Sequence, residues 1–135
     1  MRIPTVGLDG APNGYVLPIW NANEQPELRP DQVYLTVVAP HSQKGPHLHK
    51  IRRGLFCCIK GHVRIVQRVV PDGFLEYVYR TAFIGEDDQR LILVRPGDAA
   101  CIYNDSAEEA LLLNLPSPAW SKDQKDEWPV ENWNS

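Results

Sequence analysis

The sequence predicts an all-β protein, built as a sandwich or a closed barrel. Its apolar residues fall in about eight short runs, and turn residues separate the runs at spacings of about 8–12 residues, which is typical of these folds. The chain has 12 prolines and 9 glycines, which fall mainly between the runs. No long segment repeats its apolar residues with the helical period, so we expect no long helix.

Each predicted strand has a local reason. Gln32–Ala39 is rich in β-branched residues and is the clearest strand. The first strand contains a proline, which cannot donate a ladder hydrogen bond, so we expect it at a sheet edge. The pairs Lys60-Gly61 and Asp72-Gly73 are tight-turn patterns that predict hairpins. In chain order the predicted strands are Gly14–Trp20, Gln32–Ala39, His47–Lys50, Leu55–Ile59, His62–Val70, Phe74–Ala82, Arg90–Val94, Ala99–Tyr103 and Ala110–Leu115.

The length of 135 residues is typical of one domain. We therefore expect a single domain over residues 1–135, with a C-terminal tail from about residue 116. The tail is polar but contains Trp120, Trp128 and Trp133. Because solvated tails seldom carry three tryptophans, we expect it to lie against the barrel or against a second subunit.

Composition excludes several classes of partner and location. The net charge of −3 gives no electrostatic reason to expect a nucleic acid or an anionic membrane as partner. No apolar run reaches the roughly 18 residues that a membrane-spanning helix needs, and the N-terminus lacks the apolar segment of a secretory signal. The three cysteines are an odd number, and Cys57 and Cys58 are adjacent. We therefore expect no disulfide framework and a cytoplasmic location.

Two histidines one residue apart, His47 and His49, are the main candidates for chemistry. Residues i and i+2 of a strand point to the same face, so both imidazoles are expected to project together. Such a pair could hold a metal ion, share a substrate or hydrogen-bond to each other. The residues alone leave these interpretations open.

The stretch around the histidines resembles the first conserved motif of the cupin superfamily. In that motif a glycine precedes His-x-His, and an acidic residue and a later glycine follow. Gly45, His47, His49 and Gly61 stand at matching places, while Gly54 occupies the acidic slot. The resemblance covers roughly residues 30–130 and implies an all-β fold of the cupin type, a double-stranded β-helix or jelly-roll barrel.

The second cupin motif begins at a Pro-Gly turn and supplies a further histidine. Here the turn is Pro96-Gly97, and Ala100 stands in the histidine slot. A stable transition-metal site usually needs three or more protein ligands, and this pattern keeps only two. We therefore expect no bound metal and no cofactor.

The run "GPHLHK" is most similar to that of metal-free, RmlC-like cupin enzymes of deoxysugar biosynthesis. These include ketoisomerases of nucleotide-linked 4-keto-6-deoxysugars and dTDP-4-dehydrorhamnose 3,5-epimerases. The resemblance implies an isomerase or epimerase that removes a proton next to a ketone. It implies His47 as the base, His49 as its partner or second proton carrier, and Tyr34 as an active-site tyrosine. The late strand that carries a tyrosine proton donor in the epimerases has none here, in "EEALLLNLP".

Basic residues near the histidines are candidates for binding the diphosphate of a nucleotide sugar, because cationic side chains pair with phosphate oxygens. Arg64 lies on an alternating strand and either reaches the barrel mouth or faces solvent. Tyr103 follows the Pro-Gly turn and is a further candidate for substrate binding. The predicted diphosphate ligands are Lys44, Lys50, Arg52 and Arg53.

Two alternatives remain beside the isomerase or epimerase. One is a metal-binding cupin enzyme that uses His47 and His49, and the other is a non-catalytic cupin that binds a sugar or a partner protein. Under all three we expect a homodimer, because edge strands must be covered and a short N-terminal strand can be exchanged between barrels.

Overall fold

The computed structural model describes residues 1–134. Within these residues the chain forms ten β-strands and a single turn of 3-10 helix at Pro26–Leu28, as expected for an all-β protein. The strands are β1 (Ile3–Val6), β2 (Pro12–Val16), β3 (Tyr34–Val38), β4 (Ser42–Leu48), β5 (Gly54–Lys60), β6 (His62–Val69), β7 (Val78–Gly85), β8 (Ile92–Val94), β9 (Ala99–Asn104) and β10 (Ala110–Asn114).

Two four-stranded antiparallel sheets form the body of the protein. Their strand orders are β3-β10-β5-β8 and β4-β9-β6-β7, and β1 and β2 form a separate two-stranded sheet. The two large sheets face each other across one apolar core, which is the jelly-roll arrangement. Burying one such large side chain contributes about 1.5–3 kcal/mol. The buried core residues are Val38, Cys58, Val63, Ile65, Ile84, Ile92, Ile102, Ala110 and Leu112.

Strands with a buried face are predicted well. Gln32–Ala39 is confirmed as β3, and the predicted strands near β5, β6, β9 and β10 end within two residues of the observed ones. In β6, Val63 and Ile65 face the core while Arg64 faces outward, as alternation requires. Gly61 ends the β5–β6 turn with φ +77°, and a Cβ there would lie 2.9 Å from the Glu109 carbonyl oxygen. Only glycine fits that turn without strain.

Two strands near the N-terminus and the histidines differ from prediction. β4 begins at Ser42, although the sequence predicts a strand only from His47 to Lys50. Its first half is polar and contains Gly45-Pro46, so it has no apolar pattern, and it pairs with β9 as an edge strand with an irregular register. The first predicted strand, Gly14–Trp20, instead begins earlier as β2 and ends before Pro18.

The tight hairpin predicted at Asp72-Gly73 is wrong. Val69 is the last residue of β6 to pair with β7, and its partner is Val78, so residues 70–77 form a longer loop. A turn does exist there, since the amide of Phe74 donates to the carbonyl of Pro71 at 3.0 Å. The turn residues are read correctly, but they lie inside a loop rather than between paired strands.

The end of the barrel distal to the histidines is closed by a buried asparagine. The side-chain amide of Asn104 donates to the carbonyls of Val38 at 3.0 Å and Glu108 at 2.7 Å, and its oxygen accepts from the amide and hydroxyl of Ser106. These bonds satisfy a polar group that is only 1% exposed. They also join β3, β9 and the loop before β10, which leaves the opposite end of the barrel as the open one.

The C-terminal tail, residues 116–134, lies against the barrel, as the tryptophans predict. Trp128 forms a β-bridge with Leu48, and its amide donates to the Leu48 carbonyl at 2.9 Å, which covers the free edge of β4. Farther along, the indole N–H of Trp133 donates to the Tyr103 hydroxyl at 2.8 Å. The ring of Trp133 also packs edge-on against Tyr79 at a centroid distance of 5.2 Å.

Candidate active site

A cavity of about 230 Å³ lies between the two sheets at the open end of the barrel, and we refer to it as the barrel cavity. Its floor is apolar and includes Phe56, Val94 and Ile102. Its polar lining comes from both sheets and from the tail. The polar lining residues are Tyr34, Thr36, Lys44, His47, His49, Arg52, Asn114 and Glu127.

Gly54 leaves room for the aromatic floor of the barrel cavity. A Cβ at this position would lie 2.7 Å from the Phe56 ring, so a larger residue would push that ring aside. Gly54 is the residue in the acidic slot of the cupin motif, and β5 therefore brings no carboxylate to the cavity. The carboxylate in the cavity lining comes instead from the tail, as Glu127.

His47 is bound by a carboxylate of the tail. Its Nδ1 contacts Oε1 of Glu127, and both side chains are about half exposed at the cavity mouth. Within residues 1–134 Nε2 of His47 makes no hydrogen bond, so the second ring nitrogen is open to the cavity. An Nδ1–H donated to a carboxylate fixes the tautomer in which Nε2 carries the lone pair. That is the arrangement of a general base.

His49 lies just beyond β4 and has different surroundings. Its Nδ1 is 2.5 Å from the carbonyl oxygen of Asp126, so Nδ1 carries the proton, and Nε2 faces the Arg52 guanidinium at 3.4 Å. Burial is the main cause that lowers the pKa of His49, and the Arg52 charge lowers it further, against the opposing effect of the Asp126 bond. His49 is therefore a neutral imidazole at pH 7.

Asp126 fastens the tail to the chain segment after His49. Its carboxylate accepts hydrogen bonds from the amides of Lys50 at 2.9 Å, Ile51 at 3.0 Å and Arg52 at 2.8 Å. Desolvation alone would raise the pKa of Asp126, but these three bonds outweigh it and lower the pKa. Successive backbone N–H groups of this kind form an anion-binding nest. The nest fixes the neighbouring Glu127 at the cavity mouth.

Tyr34 is held by a buried asparagine. The side-chain amide of Asn114 donates to the Tyr34 hydroxyl oxygen at 3.0 Å, and the other end of that amide accepts from the amide of Leu55 at 3.1 Å. Because the hydroxyl oxygen is an acceptor in this bond, its own O–H remains able to donate, and Tyr34 lines the barrel cavity. Asn114 lies in the strand that lacks the epimerase tyrosine, and it positions a tyrosine from β3 instead.

The structure brings together five of the nine predicted site residues. The barrel cavity is lined by His47, His49, Tyr34, Lys44 and Arg52. The sequence predicts His49 within a strand, but β4 ends one residue before it, at Leu48. The other four have partners elsewhere and are absent from the cavity lining. These four are Lys50, Arg53, Arg64 and Tyr103.

The four residues outside the cavity have identifiable structural partners. Lys50 Nζ lies 4.1 Å from the centre of the Trp128 ring, and Arg53 donates to the carbonyls of Glu27 and Arg29 in the loop before β3. Arg64 faces outward and forms an ion pair with Asp105. That contact lowers the pKa of the Asp105 carboxyl. Tyr103 lies on the same outer face, under the Arg64 guanidinium at 4.0 Å and next to Trp133.

Sequence patterns miss three residues that shape the site, namely Asn114, Asp126 and Glu127. Asn114 ends an apolar run, and a polar residue at a core-facing strand position is the one local feature that marks it. Asp126 and Glu127 sit in a polar tail among other charges, so nothing local marks them. Asp126 is 77 residues away from His49 along the chain, and only the fold brings the two together.

In the part of the chain that the structure describes, the two histidines do not belong to a group of three metal-binding side chains. Ala100 of β9 lies opposite His47 in the ladder, at the position where the cupin motif has a histidine. In residues 1–134 no group of three His, Cys, Asp or Glu side chains is arranged to hold a metal ion. Cys57, Cys58 and Cys101 are free and buried, and burial raises the pKa of the Cys58 thiol to about 11.

Solved structures with the same fold are found at low sequence identity. A dTDP sugar isomerase from Desulfovibrio desulfuricans G20 has a TM-score of 0.80 at 17% identity, over 96% of this chain and 79% of that one. This chain has the fold of the RmlC-like cupins. The 4-keto-6-deoxy sugar epimerase NovW from Streptomyces spheroides gives 0.74 at 18% identity, over 97% and 67%. The dTDP-4-dehydrorhamnose 3,5-epimerase from Elizabethkingia anophelis NUHP1 gives 0.72 at 20% identity, over 96% and 72%.

These comparisons confirm the cupin fold that the histidine motif predicts. No protein-family profile and no curated protein sequence matches the chain. Across the described residues, no helix has the length and apolar character needed to cross a membrane.

Proposed function

We propose that the protein is an isomerase or epimerase that acts on a nucleotide-linked 4-keto-6-deoxysugar by removing a proton next to the ketone. The observation that carries this proposal is the His47–Glu127 pair at the mouth of the barrel cavity. A histidine whose Nδ1–H is bound to a carboxylate has a basic Nε2, and this one is open to a partly apolar cavity. The activities named for the solved structures of this fold, a dTDP sugar isomerase and two epimerases, support the same reaction class.

The first step breaks one carbon–hydrogen bond. Nε2 of His47 takes the proton from the carbon beside the ketone, and the bonding electrons form the double bond of an enolate. The negative charge then develops on the ketone oxygen. Lys44 and Arg52 line the same cavity and supply the positive charge that stabilises an oxyanion.

The second step returns a proton. Tyr34 is the donor, because it lines the cavity and the bond from Asn114 leaves its O–H able to donate. Protonation of the same carbon on its other face inverts that centre. Protonation of the former carbonyl carbon moves the ketone instead, provided that the deprotonated carbon carries a hydroxyl group whose proton passes to the former ketone oxygen as the new C=O forms. His47 then releases its proton to solvent and Tyr34 regains one, so the enzyme returns to its starting state without oxidation or reduction.

The proposed reaction needs no metal, because the His47 lone pair and the Tyr34 proton are sufficient for both transfers. Treatment with EDTA followed by gel filtration should leave the activity unchanged. If the treated protein lost its activity and regained it on adding a divalent metal ion, the metal-binding cupin enzyme would be the better description.

The direct test is exchange of the abstracted proton. We expect incubation with dTDP-4-keto-6-deoxyglucose in heavy water to introduce deuterium at C3 or C5, as measured by mass spectrometry and NMR. A general base contributes about 10²–10⁴-fold, so His47→Gln should slow exchange by at least about 100-fold. His62→Gln is the matched control, since His62 is exposed, pairs with Asp87 and lies outside the cavity. Equal exchange in His47→Gln and wild type would refute the assignment.

We also propose that the protein is a homodimer in the cytoplasm. The β1–β2 hairpin forms a sheet of its own and exposes apolar side chains that a second subunit would cover. The three thiols of the protein are free, which suits a reducing compartment.

A further inference from the structure

A second cavity of about 310 Å³ lies beside the barrel cavity and is walled largely by the tail. We call it the tail groove, and its wall runs through residues 118–127. His49, Arg52 and Glu127 line both cavities, so the two cavities are neighbours.

The tail groove combines cations with an exposed aromatic ring. Lys122, Lys125 and Arg52 line it, and Trp120 is 63% exposed there. Lys122 makes no ion pair with any residue in the range 1–134, whereas Lys125 lies 5.3 Å from the centre of the Trp128 ring. The exposed Trp120 ring and the neighbouring cations therefore offer an aromatic face and positive charge in the same groove.

Three cations and two carboxylates line the groove, so its lining keeps a net positive charge. Asp126 is held by three backbone N–H groups, and Glu127 is paired with His47. The positive charge of Lys122 and Arg52 is therefore available to an incoming anion. Trp120 is fixed by its backbone, because its amide donates to the side-chain oxygen of Gln32 at 2.9 Å.

The volume of the barrel cavity limits what it can hold. At about 230 Å³ it is smaller than the roughly 300–1,000 Å³ of sites that enclose drug-sized ligands. One hexose ring is suited to that space, but a nucleoside diphosphate attached to it must extend into an adjoining compartment. The tail groove is the neighbouring space, and it meets the barrel cavity at His49 and Arg52.

We infer that the tail groove binds the nucleoside diphosphate part of the substrate. The base stacks on Trp120, and the phosphates pair with Lys122, Arg52 and Lys125. This inference rests on the proposed function for the identity of the substrate. It assigns recognition of the nucleotide to the tail, whereas the chemistry belongs to the barrel.

Binding of dTDP without a sugar tests the groove independently of turnover. We expect calorimetry to show that Trp120→Ala weakens dTDP binding about 5- to 150-fold, the range that stacking of one base supplies. Trp120→Phe should retain most of the affinity, because it keeps an aromatic face. Lys122→Glu should weaken binding of both dTDP and pyrophosphate, whereas Trp120→Ala should weaken dTDP alone. Lys60→Glu, at the far end of β5, is the matched charge control and should change neither.

The outcomes separate this inference from the proposed function. The inference is overturned if the wild-type protein does not bind dTDP. It is also overturned if Trp120→Ala and Lys122→Glu bind dTDP as tightly as the wild-type protein does. Equally fast deuterium exchange on the sugar with and without its nucleotide overturns it too, while leaving the proposed function intact. Binding of dTDP that depends on Trp120, without exchange on any nucleotide sugar, supports the groove and refutes the proposed function.

Discussion

His47 and His49 are one residue apart, yet the tail gives them different chemical states. Glu127 binds His47 through a carboxylate, which favours a basic Nε2 open to the cavity. Asp126 binds His49 through a backbone carbonyl, and Arg52 faces its other nitrogen. At the scale of single residues, the surroundings of His47 and His49 therefore differ because of neighbours that lie far away in the sequence.

Glu127 orients His47, so its charge should matter for the chemical step. We expect Glu127→Gln to lower kcat about 10- to 100-fold, because an amide is a weaker acceptor for Nδ1–H. Glu131→Gln is the matched control, since Glu131 contacts the barrel through its backbone carbonyl, which Arg68 binds at 2.8 Å. An unchanged kcat in Glu127→Gln would contradict the orienting role.

His49 should make stability depend on pH. Its folded-state pKa is lowered below 6.5, so the folded protein resists protonation more than the unfolded chain. The stabilising contribution is therefore present above pH 6.5 and is lost as the pH falls toward the lower folded pKa. Urea unfolding between pH 5 and 7.5 should show this loss, with a slope of at most about 1.4 kcal/mol per pH unit. The slope should diminish in His49→Gln. An NMR titration that gave His49 a pKa above 6.5 would disprove this source of the pH dependence.

At the scale of elements, the tail acts as a strap across the open end of the barrel. It extends β4 through the Leu48–Trp128 bridge and supplies the Asp126 carboxylate to three backbone amides. The strap and the site therefore form together, because the residues that fasten the tail are adjacent to the one that binds His47.

Removing the Asp126 carboxylate should loosen the strap. Asp126→Ala leaves three N–H groups without their acceptor, and we expect it to lower the free energy of unfolding by about 1–3 kcal/mol. Hydrogen exchange at residues 50–52 should become faster in this variant. Asp123→Ala, an exposed tail residue, should change neither quantity. Because the pKa of Asp126 is lowered, wild-type protein should keep the strap down to a pH below 3.8 and lose it only as the pH falls further.

Elements with an alternating buried face are the ones that sequence predicts. β6 and β9 each bury several apolar residues, and β3 alternates between more and less exposed positions, so their patterns are visible in the chain itself. β1 and the first half of β4 lack a buried face, and their pairing is decided by partners elsewhere. The resemblance to the cupin motif is enough to predict the histidines, Tyr34 and two cavity cations as site residues. Glu127 and Asp126 could not be predicted in this way, because a charged residue in a polar tail has no local pattern until the tail is folded.

At the scale of the whole molecule, the β1–β2 hairpin stands apart from the two large sheets. Its strands pair with each other, and Arg2, just before β1, donates a hydrogen bond to the Glu86 carbonyl of the body at 2.6 Å. A two-stranded hairpin alone is marginally stable in water. Its exposed apolar residues are Ile3, Val6, Leu8, Tyr15 and Val16. In the homodimer that we propose, the second subunit would cover these residues.

Deletion of residues 1–16 should therefore convert the dimer to a monomer. Light scattering at micromolar concentration should give twice the chain mass of 15.3 kDa for the full chain and the mass of one chain for the truncated protein. Leu8→Ser combined with Val6→Ser should weaken the dimer in the same direction, because both side chains are exposed on the hairpin. Leu75→Ser tests whether any exposed apolar residue has this effect, since Leu75 is equally exposed but lies in the β6–β7 loop. A monomeric full-length chain, or a truncated chain that still dimerises, would show that the hairpin is not the interface.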